Sequence, residues 1–82
     1  MDRIEIAKIF IDKTENKQVK VIKNTERMPW AARIGQIGVA LYQNGGDIVV
    51  KFDDDNIPHS IIVDDLEAVY NETFIGEKSW TN

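Results

Sequence analysis

The chain reads as an all-β protein, a small barrel of five to six antiparallel strands with one short helical turn. Three observations predict it. Two apolar combs, Ile37-Val39-Leu41 and Ile48-Val50-Phe52, are joined by Asn44-Gly45-Gly46. β-Branched residues dominate the other apolar runs. Turn signals recur at close spacing, as they do where many short strands close on one another.

The elements follow in order. Arg3–Asp12 carries apolar residues that alternate with charge, with a half-step at Ala7-Lys8 that suits a bulge, so it predicts a strand over 3–12. Thr14–Lys17 is a polar turn, and Val19 and Val21 then alternate with Lys20, which predicts a hairpin with the first strand. Pro29 breaks the pattern in TERMPWAARIG; PWAAR suits a single helical turn with proline first and Gly35 beyond its end, or else an ordered loop. The central hairpin comes next, its Asn-Gly-Gly tolerant of the positive φ that tight turns require. The small Gly38 and Ala40 allow the strand to coil. Asp53–Asn56 ends that strand, Ile57–Val63 supplies another, Asp64 or Asp65 caps a helical turn, and Ala68–Tyr70 closes as a last short strand. Residues 71–82 form a tail with Phe74, Ile75 and Trp80.

Composition narrows the function. The hydrophobic fraction of 43% suits one globular domain of 82 residues. Without cysteine there are no disulfides and no thiolate metal sites. The N-terminus carries Asp2 and Glu5 and lacks a long apolar run, and no segment approaches the roughly 20 apolar residues of a membrane span, so a cytoplasmic protein with no membrane partner is expected. The net charge of −4 is uneven: residues 1–33 hold eight Lys/Arg against five Asp/Glu, and residues 34–82 two against nine. A bipolar surface can orient a partner. The acidic total opposes non-specific nucleic-acid binding, which depends on neutralising phosphates.

KVIKNTE, PWAARIGQIGVAL, the Asn-Gly-Gly turn, DIVVKFDDD and IIVDDLEAVY together resemble an SH3-like small β-barrel, and more narrowly KOW-type modules and short hypothetical proteins of bacterial and phage genomes. In these a strand leads through a loop to an IGxxGxV strand, a hairpin returns as VVKFDD, and a DDLE-V element closes the barrel. The resemblance spans Val19–Tyr70 and implies a single domain over 1–82: a core at 19–70, an extra N-terminal strand at 3–12 and a C-terminal tail at 71–82. It implies a phage or mobile-element accessory protein. The acidic-aromatic ALYDY stretch of peptide-binding SH3 domains is missing from the first loop, and Lys51 is the one basic residue of the hairpin.

Catalytic constellations fare poorly. His59, Ser60 and Asp64 contain the residue types of a triad, but adjacent strand residues point to opposite faces. Asp47 and Asp53–Asp55 offer oxygens to a hard cation, yet an EF-hand count from Asp53 puts Pro58 where glycine belongs. Gly45-Gly46 precedes no helix and cannot form a phosphate loop. The Asn71-Glu72-Thr73 sequon matters only in a secreted chain. No enzyme, metal or cofactor is expected.

The reading is therefore a non-catalytic protein-interaction module for an unidentified protein partner. Its contact surface would comprise Arg27, Trp30, Tyr42, Asp53, Asp54 and Asp55, with aromatic and arginine residues as anchors. Trp30 serves equally well as a plug for the open end of the barrel. The alternative is a nucleic-acid-associated KOW-like domain with Lys8, Lys17, Lys20, Lys23, Arg27 and Arg33 on phosphates. A third reading is an acidic nucleic-acid mimic that inhibits a host enzyme. Oligomeric state stays open, because an unpaired edge strand can pair with either its own chain or a copy.

Overall fold

The Asn44-Gly45-Gly46 punctuation forms the hairpin it predicts. In a computed structural model that describes residues 1–27 and 33–69, β2 (Ile37–Asn44) and β3 (Asp47–Lys51) pair antiparallel, with Asn44 opposite Asp47. Gly45 sits at φ +63°, the left-handed region where a side chain is strained. The register slips between Ala40 and Tyr42, a bulge at Leu41 that sharpens the local twist. Gly38 meets β3 too closely for any side chain: a Cβ there would lie 2.6 Å from Val50 Cγ1 and 2.9 Å from the Lys51 carbonyl oxygen.

The other strands are β1 (Gln18–Val21), β4 (His59–Ile62) and β5 (Leu66–Ala68), with a 3-10 turn at Val63–Asp65 between the last two. All neighbours are antiparallel and the sheet order is β4-β3-β2-β1-β5. The 3-10 turn lies where sequence places it, but neither Asp64 nor Asp65 caps it. β5 begins at Leu66 rather than Ala68, because Leu66 fills the core. Among the described residues the sheet is open, with β4 and β5 as its edges.

The expected strand over 3–12 is instead a helix, α1 (Arg3–Thr14), and the fold is mostly β rather than all-β. Asp2 caps it by accepting the Glu5 backbone N–H at 2.9 Å. Ala7, Ile11 and Thr14, spaced four and three apart, are its buried residues. The half-step at Ala7-Lys8 is thus a helical period rather than a bulge. The hairpin expected between 3–12 and the next strand is absent; β1 pairs with β2 and β5 instead.

The core joins Ala7 and Ile11 of the helix to Val19, Val21, Ala40, Ile48, Val50, Phe52, Ile61, Val63 and Leu66. Among the described residues no helix is long and apolar enough to cross a membrane. Of the helical turn expected in PWAAR, residues 29–32, Trp30 among them, lie outside the described residues, as does the tail with Phe74, Ile75 and Trp80.

Candidate interaction surface

The acidic turn after β3 is sewn to the loop before β2. The Arg33 guanidinium donates to Asp54 at 2.7 Å and to Asp55 at 3.0 Å, and lies 4.5 Å over the Phe52 ring. His59 Nε2 lies 2.6 Å from Asp55 Oδ2, and the Ile57 backbone N–H donates to Asp55 Oδ1 at 3.0 Å. These contacts, the His59 hydrogen bond foremost, pull the Asp55 carboxyl down from 3.8 to about 2. Asp54 is also lowered, chiefly by its hydrogen bond to Arg33. A shallow cleft of about 320 Å³ beside this cluster is lined by Gln36, Ile37, Phe52, Asp53 and Asp54.

This geometry redistributes the residues singled out by sequence. Asp54 and Asp55 are engaged within the chain, and Asp53 is exposed. Tyr42 is 58% exposed, paired across the strands with Val49. Arg27 is exposed in a left-handed conformation, φ +53°. Of the basic set, Lys8, Lys17 and Lys23 are exposed and Lys20 is half-buried opposite Glu67. Arg33 is held by two carboxylates and only 16% of its side chain is exposed, so it stands apart from the others as a phosphate contact. His59, Ser60 and Asp64 do not converge: Ser60 donates to Asp47 at 2.9 Å, His59 meets Asp55, and Asp64 accepts from Arg3 at 3.0 Å. Among the described residues no three His, Asp or Glu side chains gather as a metal site.

A second cleft was not expected from the sequence. It lies between α1 and β5, measures about 530 Å³, and is lined by Ile6, Ile9, Phe10, Lys13, Thr14, Glu67 and Ala68. Positions 6, 9, 10 and 13 make one helical stripe, spaced three, one and three apart, beside the buried stripe at 7, 11 and 14. Ile6 and Ile9 are 41% and 44% exposed, and Phe10 packs partly against the core. The helix thus carries apolar side chains on two adjoining faces, of which one is covered by the sheet. Reading 3–14 at period 3.6 instead of 2 is the signal that would have found this surface.

The outer edge of β5, which pairs with no strand among the described residues, borders that cleft. The Ile22 N–H donates to the Asp65 carbonyl at 2.8 Å and the Val69 N–H to the Gln18 carbonyl at 3.2 Å. Odd-numbered residues of this stretch therefore bond to β1, and alternation turns the Ala68 N–H and C=O toward the open edge.

No protein-family model matches this chain, and neither a curated protein nor a solved structure matches it.

Proposed function

We propose that this protein is a non-catalytic interaction module of SH3-like plan that takes a protein partner in the cleft between α1 and β5. The pairing of β5 back onto β1, immediately after a 3-10 turn, supports the SH3-like reading, in which a DDLE-V element returns to close the barrel. The observation that carries the functional reading is the outward stripe of Ile6, Ile9 and Phe10 facing Ala68. Burying the exposed part of Ile6 or Ile9, 41% and 44% of each residue, against a partner is worth roughly 1 kcal/mol apiece. A cleft of this size lined by apolar Ile6, Ile9, Phe10 and Ala68 together with charged Lys13 and Glu67 has the mixed character of a recognition site.

The test is affinity capture of the tagged protein from lysate of its host, with and without nuclease, using wild type and Ile9→Glu. A protein captured by wild type, retained after nuclease and lost with Ile9→Glu is the expected result. Capture that Ile9→Glu leaves intact would move the site elsewhere. Partners that vanish with nuclease would favour the basic residues Lys8, Lys17, Lys20 and Lys23.

A further inference from the structure

We propose that Asn44-Gly45, at the tip of the central hairpin, is a self-modification site. The asparagine closes on the backbone to an imide, the imide opens to isoaspartate or aspartate, and the product loosens the hairpin tip from α1.

Of the six asparagines in the chain, Asn44 alone precedes a glycine. The atom that attacks its side-chain carbonyl is the backbone nitrogen of the next residue, and a β-carbon on that residue crowds the approach. Gly45 has no β-carbon. It is exposed, sits at φ +63°, and has nothing within 4 Å of where a β-carbon would stand. Gly46 follows, so the peptide can turn at two successive residues without side chains. Asn44 is also exposed, and its Nδ2 donates one long hydrogen bond to Ser60 Oγ at 3.3 Å. The ladder hydrogen bonds beside the turn belong to the flanking pair Asn44–Asp47, and the Gly45 N–H lies inside the loop beyond them.

The chemistry needs only water. The Gly45 nitrogen bonds to Asn44 Cγ and gives its proton to solvent, while the side-chain nitrogen takes a proton and leaves as ammonia. Water then opens the five-membered imide. Breaking the bond between Cγ and nitrogen restores the chain, with aspartate at 44. Breaking the bond between the backbone carbonyl carbon and nitrogen routes the chain through the side chain as isoaspartate, with an extra carbon in the backbone.

The place in the fold gives the product its effect. Gln43 Nε2 donates to the Ile4 carbonyl at 3.0 Å and to the Gly45 carbonyl at 2.8 Å, which ties the tip to the first turns of α1. Gly46 lies close against the stem of Arg3, where a Cβ would come within 2.8 Å of Cγ. An extra backbone carbon between 44 and 45 shifts both glycines against these partners. Either product also sets a new carboxylate beside Asp47, its cross-strand neighbour, and like charges placed so weaken pairing. The amide of Asn44 is thus a condition for the clamp on α1.

The test ages the full chain in warm, mildly alkaline buffer beside Asn44→Gln, whose longer side chain would have to close a larger ring. Tryptic peptides are read by mass spectrometry, with an isoaspartate methyltransferase as the label for the rerouted backbone. Asn44 should lose its amide several-fold faster than Asn16 and Asn56, which are equally exposed but precede Lys17 and Ile57, and its product should take the label. Hydrogen exchange across α1 should then speed up several-fold in the aged wild type and stay unchanged in aged Asn44→Gln. Conversion at Asn44 no faster than at Asn16 and Asn56 would overturn the site. Isoaspartate at 44 with α1 exchange unchanged would overturn the loosening of the helix.

Discussion

The carboxylate of Asp65 accepts both the backbone N–H of Thr25, at 2.9 Å, and its hydroxyl, across forty residues of sequence. Asp65 is 3% exposed, in the 3-10 turn ahead of β5, and Thr25 opens the long loop between β1 and β2. One buried side chain thus fixes where that loop departs from the sheet.

Asp65→Ala should cost about 1–3 kcal/mol, because two part-buried hydrogen bonds to a charged acceptor are lost. Asp65→Asn keeps one acceptor oxygen and should lose less. Urea denaturation checks the size, and hydrogen exchange should show the Thr25 amide losing protection in both variants. Undiminished protection of that amide would refute the anchoring role.

The Asp55 carboxyl titrates at about 2 in the folded chain, against 3.8 ordinarily. A folded value below the unfolded one means that its stabilising contribution is complete above pH 4 and is lost as pH falls from there toward 2. His59→Ala removes the foremost cause and should bring the Asp55 titration back toward 3.8. Carboxyl carbon shifts followed by NMR would report it, and an unchanged Asp55 titration would sink the assignment.

Gly38→Ala should destabilise by about 1–3 kcal/mol, since the new methyl meets the Lys51 carbonyl as well as the Val50 side chain, and backbone cannot step aside cheaply. Gly46→Ala offers a contrast. Its Cβ would press on the stem of Arg3, 2.8 Å from Cγ, and that flexible side chain can swing away. The second substitution should be the milder in a thermal melt, at the cost of the Arg3–Asp64 ion pair.

Two isoleucines on one helix separate packing from recognition. Ile11→Ala opens the core and should cost about 2–5 kcal/mol. Ile9→Ser lies on the cleft face and should stay within about 1 kcal/mol of wild type while weakening partner capture. A matching stability loss for the two would place Ile9 in the core and remove it from the recognition surface.

The central hairpin was legible because its signals are local: two apolar combs and a glycine pair that only a turn accommodates. The 3-10 turn at Val63–Asp65 and the strand at His59–Ile62 were legible for the same reason. The N-terminal helix was not. Its four isoleucines suit a strand, and because apolar residues occupy both the core face and the cleft face, they blur the helical period into alternation. The Arg33–Asp54–Asp55 contacts were hidden for another reason. Both charge signs were visible in the sequence, but partners 21 and 22 residues apart are chosen by the path of a loop. The cleft depended on the helix, so missing one concealed the other.

β1 sits between β2 and β5, so the first strand of the chain takes its last neighbour from residues near 68. As the chain leaves a ribosome, the β2–β3 hairpin can close within about ten residues, but one side of β1 must wait for nearly fifty more to be synthesised. Through that interval the nascent chain displays Val19 and Val21 beside an unsatisfied backbone edge. Closure of β5 is therefore the step at which assembly becomes cooperative, and a chain stalled before Leu66 would be a target for chaperones rather than a shorter version of the same domain.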